Sequence, residues 1–287
     1  MKPARWAVSL LVLTLAIVGA RGFAASPRRV VSLIPAVTEM LFAMGEGGRL
    51  VGVSSYDRFP AEVSRIKAVG GLLDPSAEAI LSLKPDLVVV YATQVELKER
   101  LERAGIPFFS YAHRTLSDIT STIRAIGARI ESTSRAESLA SDMERAIAMT
   151  RASVAGLNRP RTMLVFGREP DSLRNIVASG GYGFLHDMLE AAGGDDIFAD
   201  VKQQSVQVST EMMLARQPEV IVELRYGGSI TSTDVTRETR AWDSLASVPA
   251  VKGRRVYVLV GDEFVVPGPR VVDAMRRLAR TLHPEIR

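Results

Sequence analysis

A stretch that occurs twice constrains this chain more than any other feature. Ser76-Ala-Glu-Ala-Ile-Leu-Ser-Leu-Lys-Pro-Asp-Leu-Val-Val89 and Ser209-Thr-Glu-Met-Met-Leu-Ala-Arg-Gln-Pro-Glu-Val-Ile-Val222 share Ser, Glu, Leu, Pro and an acid at the same spacing, then an apolar run. Ser76 and Ser209 are placed to N-cap a short helix. Glu78 and Glu211 then sit in its first turn, where the helix dipole favours negative charge. Pro85 and Pro218 stop the helix, and the β-branched runs that follow read as buried strands. A unit of helix, turn and parallel strand that recurs predicts two lobes on one plan, with an equivalent glutamate on each.

The rest of the chain alternates in the same manner. In the first lobe, strands are expected at 29–33, 49–53, 67–71, 87–91 and 106–111, with helices at 39–44 and 94–104. The helix at 39–44 is expected to be capped near Thr38. Such alternation predicts a parallel sheet covered by helices. Two long helical segments follow, 116–131 and 134–157. The second has 24 residues and would run about 36 Å, the length of a two-lobe molecule. In the second lobe, strands are expected at 161–167, 175–178, 220–222 and 254–260, and helices at 184–192 and 270–282. The run Asp187-Met-Leu-Glu-Ala-Ala-Gly193 echoes Glu39-Met-Leu-Phe-Ala-Met-Gly45 and strengthens the case for duplication. The fold class is α/β: two Rossmann-like lobes joined by one long rigid helix, with a ligand cleft between them. The segments are 1–24, 25–133, 134–158 and 159–287.

Residues 1–24 read as a signal peptide. Lys2 and Arg5 precede the apolar Val8–Ala20 stretch, and Gly22-Phe23-Ala24 supplies small residues for cleavage; the alternative is an uncleaved anchor. Cleavage removes Lys2, Arg5 and Arg21 and no acids, so net charge falls from +4 to +1. That leaves no strong case for nucleic acid. The chain has no cysteine, which excludes disulfides, thiolate metal sites, a cysteine nucleophile and a lipidated cysteine. Export without lipid attachment fits the bacterial periplasm.

Signatures of P-loop, dinucleotide, serine-hydrolase and zinc-protease chemistry are absent. The histidines are His113, His186 and His283; His186, near Tyr182, is the one to watch. Polar and aromatic groups gather instead where open α/β sheets bind ligands, at the carboxyl ends of strands. They are Ala36, Tyr56 and Tyr91 in the first lobe, and Arg168, Asn175, Tyr182, Asp262 and Phe264 in the second. Glu78 and Glu211 have two readings: partners of their own helix dipoles, or exposed carboxylates that meet arginines on a two-fold symmetric partner.

Several segments resemble the helical-backbone periplasmic substrate-binding proteins, which serve ABC importers of vitamin B12, haem and iron–siderophore complexes. They are Arg29-Val-Val-Ser-Leu-Ile-Pro-Ala-Val-Thr-Glu39, Val51-Gly-Val-Ser-Ser-Tyr56, Leu83-Lys-Pro-Asp-Leu-Val88 and Ala192-Gly-Gly-Asp-Asp-Ile-Phe198. The resemblance spans the chain after the leader and is nearest the vitamin B12 branch. It implies capture of a cobalamin-type corrinoid, no catalysis, no cofactor or metal of its own, and a monomer that docks on an inner-membrane permease dimer. Ala36, Tyr56, Tyr91 and Asp262 fall on its ligand-contact positions, and Glu78 and Glu211 on its docking glutamates. The cleft tryptophans of that branch are missing, with Trp242 the sole tryptophan after the leader. Arg168, Arg174 and Asn175 would then bind corrin amides or, alternatively, the carboxylates of haem or a ferric siderophore. A chelatase-like metal-handling enzyme on a two-lobe fold is the distant alternative.

Overall fold

The computed structural model describes residues 26–227 and 231–286; the expected signal peptide lies outside them. The first sheet contains β1 (Val30–Ser32), β2 (Leu50–Val53), β3 (Lys67–Ala68), β4 (Leu87–Tyr91) and β5 (Phe108–Tyr111), in the order β3-β2-β1-β4-β5. Each neighbouring pair is parallel. The helices are α1 (Pro35–Ala43), α2 (Ala77–Ser82) and α3 (Val95–Arg103). Val31, Val88 and Val90 pack on one face of the sheet, and Val30, Leu87 and Val89 on the other. Burial on both faces is why these strands are continuous apolar runs.

Helix α1 begins earlier than the sequence suggests. Pro35 takes the first helical position behind Ile34, where its missing N–H costs nothing. Thr38 therefore lies inside the helix and caps nothing.

Two antiparallel helices, α4 (Ser117–Arg129) and α5 (Thr133–Ser153), lead to the second lobe. Gly127 lets them cross closely: a Cβ there would stand 2.2 Å from the Ala136 Cβ. Helix α5 has 21 residues, shorter than expected; its length is about 32 Å. Ala136, Ala140, Met143, Ile147 and Thr150 form its buried stripe. One continuous core joins Val30 and Val89 of the first sheet, through Met143 and Ile147, to Leu164 and Val222 of the second. A shared core of this kind opposes large hinge motion between lobes.

The second lobe comprises β6 (Arg161–Gly167), β7 (Ile176–Ser179), α6 (Phe184–Ala191), β8 (Asp195–Asp196), β9 (Ser205–Val208), α7 (Thr210–Arg216), β10 (Val220–Arg225), α8 (Ser232–Arg240), α9 (Pro249–Lys252), β11 (Val256–Val260) and α10 (Val271–Leu282). Its six-stranded sheet runs β9-β7-β6-β10-β11, with the two-residue β8 pairing with β6 off that path. Apart from β8, this order matches the first sheet, which supports the duplication. The difference is direction: β7 is antiparallel to both β6 and β9. The loop 168–175 between β6 and β7 is too short for a parallel crossover, which takes a dozen residues or more.

Candidate ligand site between the lobes

In both sheets the parallel strands end on the side that carries the loops 54–60, 92–94, 112–116, 226–227 and 261–270. Between them lies a cavity of about 410 Å³, lined by His113 from the first lobe and by Phe166, Tyr182, Phe184, Gln204 and Tyr226 from the second. A ladder of rings reaches it from the first lobe. Tyr91 meets Tyr111 edge-on at 6.0 Å, Tyr111 lies 5.5 Å from His113, and His113 meets Phe184 edge-on at 5.7 Å. Edge-to-face and tilted contacts at these separations are the preferred aromatic arrangements. Tyr56 is 58% exposed on the first-lobe rim and packs on Gly71, where a Cβ would come within 2.5 Å of its ring. The following loop exposes Leu73 at 88%. It is held by the Gln94 amide, which donates to the Gly71 and Leu72 carbonyls at 3.3 and 3.0 Å.

The expected site residues divide. Tyr182 lines the cavity, Tyr91 starts the ring ladder, and Tyr56 forms the rim. Asp262 has an indirect place: its Oδ1 accepts from the Gly227 N–H at 2.9 Å and so fixes the loop that carries Tyr226. Ala36 is buried beside Gly268, where the second lobe closes on the start of α1. Two expectations are corrected. Phe264 is fully buried core with the Arg277 guanidinium 4.8 Å above its ring. The Arg168 side chain is wholly inside the second lobe and does not face the cleft. Asn175 is exposed, but its amide donates to Glu169 Oε1 at 2.7 Å within the loop and it is not among the cavity-lining residues. Arg174 is paired in the same loop, with Glu169 at 2.8 Å. His186 binds Asp196 at 2.9 Å, a structural contact. The histidine that lines the cavity is His113, which sequence reasoning passed over. It stands two residues past the end of β5, where the strand-end rule would have found it.

Charge is arranged differently behind the two walls. Arg168 donates through Nε and Nη2 to Glu223 Oε2, both at 3.1 Å, and contacts Glu238 more closely still. Arg225 Nη2 lies 2.7 Å from Glu223 Oε1 and 2.8 Å from Glu238 Oε2. These are ion pairs; among the described residues neither Glu223 Oε1 nor Arg225 Nη2 has a hydrogen bond. The Trp242 indole donates to Glu223 Oε2 at 3.1 Å. In the first lobe, Asp57 Oδ2 accepts from the Ser54 N–H at 2.7 Å. Its Oδ1 and the Thr38 hydroxyl are both buried without a well-formed hydrogen bond, although the hydroxyl still draws the carboxyl pKa down. Burial dominates, helped by the charge of Glu39, and pushes Asp57 up to about 7. Glu39 is also raised by burial, against the pull of Arg270. Arg270 crosses between the lobes to reach it, at 2.9 and 2.5 Å, and its guanidinium lies 4.1 Å over the Phe59 ring.

This architecture matches known proteins along nearly its whole length. The family model described as "periplasmic binding protein" matches residues 30–262. The chain belongs to the periplasmic binding protein family. A vitamin B12-binding protein of Salmonella typhimurium is 31% identical over 256 residues, 88% of this chain and 90% of that protein. The crystal structure of a periplasmic vitamin B12-binding protein of Vibrio cholerae superposes with a TM-score of 0.75 at 26% identity, over 90% of this chain and 97% of that one. A periplasmic heme-binding protein from Roseiflexus sp. RS-1 superposes with a TM-score of 0.76 at 27% identity, over 90% of this chain and 98% of that one.

The repeated glutamates of this family member sit away from the cavity. Both are exposed in the first turns of α2 and α7. Ser76 Oγ accepts from the Ala79 N–H at 3.2 Å and Ser209 Oγ from the Met212 N–H at 3.3 Å. The Ser209 hydroxyl also holds the Glu211 carboxyl below the usual range. One turn on from each glutamate, Leu81 and Leu214 are exposed to nearly the same degree, 38% and 39%. Among the described residues no helix is long and apolar enough to cross a membrane.

Proposed function

We propose that the protein captures a cobalamin-type corrinoid in the interlobe cleft and delivers it to an inner-membrane ABC transporter. The observation that carries this reading is the aromatic cavity at the joined carboxyl ends of two sheets. It is a mainly apolar hollow with a few polar groups, in the place where such sheets bind ligands. The vitamin B12-binding relatives support the cargo. The exported protein acts after signal-peptide cleavage, without lipid, cofactor or catalysis, as a monomer. Glu78 and Glu211 offer one carboxylate per lobe to arginines of a permease dimer, whose two-fold symmetry the duplicated unit fits.

The test is calorimetric titration of the protein with cyanocobalamin, beside hemin and a ferric siderophore. Submicromolar one-to-one cobalamin binding with weak hemin binding is expected. A second reading, haem as cargo, draws on the Tyr182 and Tyr226 hydroxyls beside the cavity and on the likeness to a heme-binding protein. Tight hemin binding with no response to cobalamin would move the cargo there. The double variant Glu78→Ala/Glu211→Ala should keep ligand affinity and lose binding to the transporter; unchanged docking would remove the glutamates from that role.

A further inference from the structure

His113 holds a position unlike that of any other polar group in the cavity. Among the described residues it is the one lining residue contributed by the first lobe. Its ring is fixed between Tyr111, inclined at 31°, and Phe184, inclined at 71°. Neither ring nitrogen makes a hydrogen bond to any of the described residues. Asp118, the acid whose charge acts on the ring, is committed elsewhere: its Oδ2 accepts from the Arg114 and Thr115 N–H groups at 2.8 and 2.9 Å. His186 and His283 differ, since each has a ring nitrogen engaged, with Asp196 and with the Gly193 carbonyl. Burial also lowers the His113 pKa, which favours the neutral ring with a free lone pair.

A neutral imidazole nitrogen with no partner among the described residues, on the wall of a largely apolar hollow, is a metal ligand in waiting. Hydrogen bonding to a ligand amide would also use it. The surroundings favour the metal: rings lie on two sides of the imidazole, and Phe166, Tyr182 and Tyr226 line the same hollow with aromatic surface of the kind a macrocycle packs against. We propose that His113 is an axial donor to the metal at the centre of the bound macrocycle, occupying a coordination position that water holds in the free ligand. The exchange is simple: a nitrogen–metal bond forms, a water–metal bond breaks, and no electron or proton changes hands. Because the nitrogen comes from the first lobe and the remaining wall from the second, the bond would fasten the ligand across the cleft.

The inference rests on the corrinoid reading, and cobalamins with different upper ligands separate the two. Aquocobalamin carries an exchangeable water; cyanocobalamin carries cyanide, which imidazole does not displace. Mixing the protein with aquocobalamin should shift the visible bands to those of an imidazole adduct, while cyanocobalamin binds with no such change. His113→Phe keeps a ring between Tyr111 and Phe184 but offers no lone pair. It should abolish the shift, and its loss of aquocobalamin affinity should exceed its loss of cyanocobalamin affinity by about tenfold or more. Binding of both cobalamins without a shift, or a shift that survives in His113→Phe, would overturn the ligation and leave the cargo standing. Failure of the unaltered protein to bind either cobalamin would overturn the corrinoid reading itself.

Discussion

The two lobes share a strand order but differ in how they pay for polar groups behind the cleft. In the second, Arg168 and Arg225 balance Glu223 and Glu238, and Trp242 packs on the set with the Arg168 guanidinium 5.7 Å from its ring. In the first, Glu39 and Asp57 stand near each other, and the cation that reaches them, Arg270, binds Glu39 alone among the two. A balanced set of paired charges holds its members in place. Asp57, buried and with no ion pair among the described residues, stays protonated well above the ordinary carboxylate range. The duplicated plan therefore supplies one wall as scaffold and one that answers to protons.

The largest effect should come from unbalancing the second lobe. Arg168→Ala leaves Glu223 and Glu238 buried with Arg225 as their remaining cation. Removal of one member of a buried charge set costs about 3–5 kcal/mol, because the remaining charges lose their compensation. Urea unfolding should show that loss. A loss below about 1 kcal/mol, the value of an exposed pair, would mean that water reaches the network.

That network also marks where sequence reading stops. The lobes themselves were legible, because short β-branched runs between Gly, Pro and cap residues signal buried strands, and the repeat signals two of them in equivalent places. The reversed β7 was legible in principle from the short loop 168–175. Arg168 was not. Its position at a strand end was read correctly, but the strand-end rule gives position and not direction. The partners that turn it inward, Glu223 and Glu238, lie 55 and 70 residues away along the chain. Phe264 fails in the same way: an aromatic ring beside a cleft and one beneath it have the same sequence context. His113 was missed because a lone histidine has a strong structural prior. What distinguishes it, a ring held by two aromatic neighbours and making no hydrogen bond to the described residues, is visible only in three dimensions.

The first lobe should show its difference as a pH response. Asp57 stands at about 7 in the folded chain, against 3.8 for the free side chain. Between those limits the folded state holds a proton that the unfolded state has released. Stability therefore falls as pH rises through that window and levels off above about 7, with this group contributing at most about 1.4 kcal/mol per pH unit. Asp57→Asn keeps the shape and removes the proton. Urea midpoints measured from pH 4.5 to 7.5 should decline less steeply in the variant than in the parent. Identical slopes would show that Asp57 is hydrated and that the lobes treat charge alike.

The smallest effect tests what the lobes have in common. Helices α2 and α7 have six and seven residues, too short to hold without tertiary support. Each buries one large apolar side chain, Ile80 or Met213, and each is capped by a serine at nearly the same distance. Ser76→Ala and Ser209→Ala should each cost about 1 kcal/mol, and by similar amounts, since both expose the same kind of N–H to the same kind of solvent. Neither change touches the cavity, so on the proposed function cobalamin affinity should hold. On the same reading each should weaken transporter docking slightly, because a frayed first turn no longer fixes Glu78 or Glu211. A large inequality between the two would show that the repeated sequence has kept its shape in both lobes while its energetics have diverged, as those of the buried charges already have.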